Sequence, residues 1–280
     1  MGINTSFSSG QLVLTQDRKL ISDTLSLDRV WASEALKNLD DKLWPNSSWY
    51  TYSDNANVGL MMVLKNLSPT LVFLMGEPRC LARLIHPQVL PKQIFVEAPT
   101  SCVGILKSFY EFDSALSMKK LALKYFRPNT FTIHPRVRRL TSSDFPRARD
   151  LYCRNMGGHF NADQFQNGLY FGVEQDEKLV SMSGTTALCP DYCTATIGNI
   201  ITDMDHRHKD YETSELLLLC QKLLEDQYNC ITIKVNRGNA SAITLYRRIG
   251  FAKICDYFEG VGHFKEARTE MPLLRKEQPS

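Results

Sequence analysis

Apolar residues recur along this chain with two different periods. Leu27, Val30, Trp31, Ala35, Leu39 and Leu43 fall at helical spacing, and Pro45 ends that segment. "SSWYTYSD" then reads as a strand, and "VGLMMVLKNL", "TLVFLMG" and "KQIFVEAP" follow, separated by Ser68-Pro69 and Gly76-Glu77-Pro78. Such short runs, rich in Val, Phe and Ile, suit buried strands or short helices, and periodicity leaves both open. "SALSMKKLALKYF" reads as a helix. Arg127-Pro128-Asn129-Thr130 is the best boundary, dividing a mixed α/β domain at residues 1–130 from a second domain at residues 131–280. Trp31, Trp44 and Trp49 read as core.

The second half is more regular. "RVRRL" alternates as a strand does, and Thr141, Asp144 and Pro146 in "TSSDFPRARDLY" signal a capped helix start. "GLYFGVE" and "KLVSMSGTTAL" predict a hairpin about Gln175-Asp176-Glu177-Lys178, and "TATIGNIIT" a third strand. "SELLLLCQKLLED" places Leu216, Leu219 and Leu223 on one helical stripe. "CITIKV" returns as a strand, "NASAITLYRRI" as a helix capped by Gly250, and "FAKICDYFEGV" as a last strand. Strand, helix, antiparallel meander, helix, strand, helix, strand is an α+β order.

Composition narrows the class. Hydrophobic residues at 43% and charged residues at 22% describe a globular protein, and a net charge of +3 gives no basic face for nucleic acid. The longest apolar run is about seven residues, against the ~20 that span a bilayer. Met1 to Leu20 lacks the apolar core of a secretory signal, so a cytoplasmic chain with reduced cysteines is expected, with a mitochondrial location also open. Met1-Gly2-Ile3-Asn4-Thr5-Ser6 fits an N-myristoylation pattern, but no basic cluster follows to supply a second membrane signal. Cys189 and Cys193 lack a second Cys/His pair nearby, so no metal site is expected there.

"VNRGNASAITLYRRIGF" resembles the closing signature of the GNAT superfamily of acyl-CoA-dependent N-acyltransferases: Asn239, then Leu245-Tyr246 and Gly250-Phe251. "GVEQDEKLVSMSGT" resembles that fold's second and third strands, and "IGNIITDMDHRHKDYETSELLLLCQKLL" its fourth strand and third helix. The likeness covers about residues 134 to 265. The layout of the first half is similar to that of glycine N-acyltransferase-like proteins, which would make it a degenerate GNAT-like half. The resemblance implies a mixed, mostly antiparallel sheet flanked by helices, preceded by this smaller domain. It also implies transfer of an acyl group, most simply acetyl, from acyl-CoA to an amine or amino acid by direct attack in a ternary complex. Backbone groups of Ile200, Ile201 and Thr202 would pair with the pantetheine arm, and strand N–H groups could stabilise an oxyanion. Tyr246 would protonate the departing thiolate, and it also fits as a core aromatic spaced three residues from Ile243 and Ile249. Asn239 would cap its helix and reach the CoA arm. Asp203, His206 and Glu174 are the nearest general-base candidates, and none sits in a motif that assigns the role.

One motif departs from the family. The loop that cradles the CoA diphosphate reads Arg or Gln, two residues, Gly, one residue, then Gly or Ala. In "RHKDYET", Arg207 keeps the first place, His208 and Lys209 follow, Asp210 replaces the Gly, and Tyr211 and Glu212 lead into Thr213. A non-glycine residue at φ > 0 costs roughly 1 kcal/mol or more. A carboxylate about 5 Å from a phosphate is repelled by roughly 3 kcal/mol at an effective dielectric near 20. Asp210 or Glu212 could instead serve the helix dipole themselves. An alternative is therefore a weak or inactive GNAT-fold protein with a binding or regulatory role. Metal ligation by Asp203, Asp205, His206 and His208 is chemically allowed but unpatterned.

Overall fold

The computed structural model describes residues 12–54, 57–86, 88–128, 131–156 and 160–265. Met1 to Ser6, and Asn129 and Thr130 of the expected boundary, lie outside them. The first half runs β1 (Leu12–Thr15), α1 (Arg18–Ser26), β2 (Ser47–Asp54), β3 (Asn57–Leu64), β4 (Thr70–Gly76), α2 (Pro78–Leu84), β5 (Gln93–Pro99), α3 (Val103–Phe109) and β6 (Tyr110–Leu123). The second runs β7 (Val137–Arg139), α4 (Phe145–Met156), α5 (Ala162–Gln166), β8 (Tyr170–Gln175), β9 (Lys178–Cys189) and β10 (Thr194–Thr202). It ends with α6 (Tyr211–Glu225), β11 (Cys230–Asn236), α7 (Ala240–Ile249) and β12 (Phe251–Phe264).

All twelve strands form one sheet in the order β1-β2-β3-β4-β5-β12-β6-β11-β10-β9-β8-β7. Its ladders are antiparallel except β4–β5 and β10–β11. From either edge inward the two halves repeat: β1 to β5 and then β12 on one side, β7 to β11 and then β6 on the other. Each half thus receives its innermost strand from the other. β6 lies between β11 and β12, and its ladder with β12 runs from Leu123–Phe251 to Tyr110–Phe264.

Helices cover the sheet because their apolar stripes match its faces. Leu216, Leu219 and Leu223 of α6 and Ile243, Tyr246 and Ile249 of α7 bury against Ala195, Ile197, Ile231, Ile233 and Val235. Ala148 and Leu151 of α4 and Phe165 of α5 pack with Tyr170, Leu179 and Met182. The segment from Ile21 to Leu39 packs with Trp49, Phe73, Met75 and Tyr257. No helix among the described residues is long and apolar enough to cross a membrane.

Two elements differ from the sequence expectation. The helical spacing from Leu27 to Leu43 is a chain of turns with a short 3-10 helix at Ala35–Leu39. There the Asp28 carboxylate accepts from Trp31 N (2.9 Å) and Asp40 from Lys42 N (2.9 Å). Such side-chain bonds to nearby N–H groups favour turns over a continuous helix. "SALSMKKLALKYF" contributes to β6, because backbone edges on both sides, from β11 and β12, satisfy it as a strand. Thr141 and Asp144 form the expected reciprocal cap ahead of α4. Asp176 and Glu177 turn the β8–β9 hairpin, both at positive φ (51° and 60°).

Candidate functional site

Beyond Ile197 the sheet opens. β10 pairs with β11 from Thr194–Cys230 to Ile197–Ile233 and no further. β10 itself runs on to Thr202, with an irregularity between Gly198 and Ile201 in its ladder to β9, where Asn199 takes φ 50°. The backbone from Gly198 to Thr202 therefore lacks a strand partner on its β11 side. α6 begins just below this parted edge and α7 beside it.

Between them lies a cleft of about 590 Å³. It is lined by Ile200, Ile201 and Thr202 of β10, Arg207, His208, Lys209, Asp210, Tyr211, Glu212 and Thr213 of the loop and α6, and Asn239 and Tyr246 of α7. The twelve residues that the resemblance assigned to acyl-CoA binding and proton donation thus meet at one place. Asn155, Met156 and His206 also line it; nothing in the pattern of α4 pointed to the first two.

The loop keeps the backbone shape that glycine would favour. His208 has φ 63° and Asp210 φ 57°, left-handed conformations that Asn and Asp tolerate better than most residues. Asp210 stands at the N-cap of α6 without a side-chain bond to the helix. The α6 N-terminus, with the N–H groups of its first turn, borders the cleft, a natural anion seat. Arg207 Nε donates to Thr202 O (3.4 Å), and Lys209 Nζ lies 3.3 Å from His206 Nδ1. Asn239 caps α7, its Oδ1 accepting from Ala242 N (3.1 Å).

Titratable groups in and under the cleft are shifted by burial. Burial, and then the charge of Glu212, push the Tyr246 phenol up, so it keeps its proton at neutral pH. Burial raises Glu212 as well, with Arg207 opposing. One further group was not read from the sequence. Glu215, fully buried on α6, accepts at Oε2 from Ser183 Oγ (2.7 Å), while its Oε1 has no hydrogen-bond partner. Burial pushes this carboxyl up to about 8. Its only sequence signal is a lone acid in the apolar run "SELLLL". The Ser181 hydroxyl, which also helps hold Glu215, lies 2.9 Å from Thr202 Oγ1 on the cleft wall.

The base candidates separate. His206 lines the cleft, whereas Asp203 is held by Arg154 (2.8 Å) and Asn155 (2.6 Å). Glu174 is held by Arg138 (2.8 Å) and Arg147 (3.1 Å). Among the described residues no group of three or more His, Cys, Asp or Glu is placed to hold a metal ion.

The first half repeats the parting around a smaller cavity of about 280 Å³. β4 pairs with β5 only to Phe73–Glu97. Beyond that pair, Trp31 Nε1 donates to the Leu74 carbonyl (2.9 Å), and the indole lines that cavity with Met75, Gly76 and Pro99. The turn into α2 is a single residue past Gly76. α2 then packs so near β3 that a Cβ on Gly59 would stand 2.9 Å from Cys80 Cβ. No loop remains there to cradle an anion.

Residues 134–251 match the acetyltransferase (GNAT) family. The match runs from β7 through α7, the stretch that carries the cleft. A comparison with curated protein sequences gives no match. Among solved structures, a Drosophila protein aligns at a TM-score of 0.64 and 11% identity, over 89% of this chain and 98% of its own. A tandem GNAT protein from the clavulanic acid biosynthesis pathway aligns at 0.57 and 12%, over 91% and 98%. A protein from Novosphingobium aromaticivorans, described as an acetyltransferase of the GNAT family, aligns at 0.56 and 16%, over 85% and 96%. At these identities the likeness is one of fold, and it extends through both halves.

Proposed function

We propose that this chain is an N-acyltransferase that moves an acyl group, most simply acetyl, from acyl-CoA to a small amine, with the site in the half at residues 131–280. The observation that carries the reading is the parting of β10 from β11 directly above a cleft floored by the α6 N-terminus. The residues fit such a ligand. First-turn N–H groups of α6, with Arg207 and Lys209, would hold the diphosphate. The unpaired β11-side edge of Gly198 to Thr202 would hold the pantetheine amides as a neighbouring strand does. Bound acyl-CoA supplies an acyl group activated as a thioester. The net change is R–NH2 plus acyl–S–CoA giving R–NH–acyl plus HS–CoA. Tyr246, protonated at neutral pH, would donate to the departing sulfur, and the proton lost by nitrogen leaves through the cleft, where His206 stands. Asp210 and Glu212 at this anion seat favour a second reading, a GNAT-fold protein that binds CoA weakly and does little transfer. Calorimetric titration with acetyl-CoA and a longer acyl-CoA decides between them. Submillimolar binding is expected, and binding weaker than millimolar to both would overturn the enzyme reading.

A further inference from the structure

The bend in β10 that opens the cleft is held from both faces of the sheet. Gly198 pairs with Gly184 of β9 and Ile201 with Met182, so Asn199 and Ile200 together stand opposite Ser183 alone. Such a bulge leaves one residue outside the ladder and bends its strand. It falls just past the last β10–β11 rung, Ile197–Ile233, and Ile200 lines the cleft. On the α6 face, the residue opposite the bulge is tied down, because Ser183 Oγ donates to Glu215 (2.7 Å).

On the other face one side chain crosses two strands to reach the bulge. Tyr170 of β8, Gly184 of β9 and Gly198 of β10 form one row across the sheet. Only glycine at 184 leaves room for the Tyr170 ring, since an added Cβ would stand 2.0 Å from its Cδ1. The phenol oxygen accepts from Asn199 Nδ2 (2.9 Å) and donates to the Thr185 carbonyl (3.1 Å). Phe165 and Phe160 hold the ring, with centroids 4.7 and 6.1 Å away. Burial pushes the phenol up, so the hydroxyl keeps its proton at neutral pH and both bonds persist. Asn199 itself sits at φ 50°. A left-handed residue of this kind keeps its place only where surrounding bonds over-determine it, and the Tyr170 hydroxyl supplies such a bond.

We propose that Tyr170 and Asn199 are positioning residues for acyl transfer: their bond fixes the bulge so that the backbone N–H of Ile200 meets the thioester oxygen. This rests on the acyltransferase reading. In that reaction the amine nitrogen bonds to the carbonyl carbon, and the carbonyl electron pair moves onto oxygen. The pair returns as the carbon–sulfur bond breaks, with the amine proton leaving through the cleft and Tyr246 protonating the sulfur. A backbone donor helps only if it already waits where that charge appears, and a misplacement of about 1 Å can cost about a hundredfold in rate. Tyr170 and Asn199 act on this step through the backbone they hold.

Acetyl-CoA carrying 13C at the carbonyl tests this without an acceptor. A hydrogen bond to that oxygen moves the carbonyl resonance downfield, so the signal bound to the native protein should lie downfield of free acetyl-CoA. Tyr170→Phe keeps the ring and Asn199→Gly keeps the backbone conformation, and each should abolish about half or more of that displacement. Calorimetric affinity for acetyl-CoA should change less than about threefold, because the diphosphate is held by the α6 N-terminus rather than by the bulge. The double variant should lose no more than either single one, since the two side chains act as one unit. Hydrogen exchange over residues 198 to 202 should quicken about fivefold or more in each variant. If Tyr170→Phe fails to melt cooperatively, Asn199→Gly carries the test. A native resonance at the free position, a displacement unmoved by the substitutions, or unchanged exchange overturns the proposal. Failure of the native protein to bind acetyl-CoA would instead overturn the acyltransferase reading, and exchange alone would then decide whether Tyr170 holds the bulge, unchanged rates again overturning it.

Discussion

Glu215→Gln isolates the cost of keeping an acid under the cleft. The native carboxyl titrates at about 8, against an ordinary value of 4.5. In the window between those values the unfolded chain has released this proton and the folded chain still holds it. Fewer protons on the unfolded state mean that stability falls as pH rises, by about 1.4 kcal/mol per pH unit. Below 4.5 both states are protonated and above 8 both are ionised, so the loss is confined to that window. A displacement of about 3.5 units corresponds to ~5 kcal/mol at most. Glutamine has nearly the same shape, can still accept from Ser183, and has no proton to lose. Urea unfolding of both proteins at pH 5, 6, 7 and 8 should show the native chain losing about 3.5 kcal/mol relative to the variant over those three units. Stability curves that run parallel with pH would refute a buried, high-pKa Glu215.

Tyr246→Phe should lower turnover about a hundredfold, in the usual range for a lost general acid, and leave acetyl-CoA affinity unchanged; unaltered single-turnover kinetics would remove it from the chemistry. Asp210→Gly with Glu212→Ala should tighten acetyl-CoA binding about tenfold or more by calorimetry, since both backbone strain and like charge leave the anion seat. Gly250→Ala should cost at least ~3 kcal/mol in chemical denaturation, because Gly250 sits at φ 123° and an added Cβ would stand 1.6 Å from the Tyr125 carbonyl oxygen. Asp144→Asn should cost about 2 kcal/mol by loosening the cap of α4 and two arginine contacts. Arg138 first of all holds Asp144 well below its ordinary value, so its share of stability is present above pH 4 and lost as pH falls below it.

Sequence carried most of the second half because its signals are local. The Thr141–Asp144 cap, the Asp176-Glu177 turn, the stripe of α6 and Gly250 after α7 each report backbone geometry within a few residues. The residues that line the cleft were expected together only through the resemblance of the loop and the α7 segment to a family pattern, not from periodicity. What stayed hidden depends on distant partners. β6 reads as helix until β11 and β12 flank it, and Trp31 reads as ordinary core until its indole is found on the Leu74 carbonyl. Asn199 gave no sign in sequence, because its partner Tyr170 lies two strands away and 29 positions earlier. Glu215 left a trace, a single acid within leucines, whose meaning depended on whether that face was buried.

The exchange of β6 and β12 also orders the birth of the molecule. A chain emerging N-terminus first can build β1 to β5 early, yet the strand that closes their sheet is the last one described, Phe251–Phe264. The edge of β5 that β12 will cover thus stays open until synthesis nears its end, an unpaired template of the kind that invites aggregation. The converse holds for the second half: β6, its innermost strand, is already waiting when β11 arrives. A stop after residue 250 would therefore remove 14 residues of one strand and leave two open edges, one in each half. The chain behaves as a clasp whose final link locks both sides, so no cut between the halves yields two complete folding units.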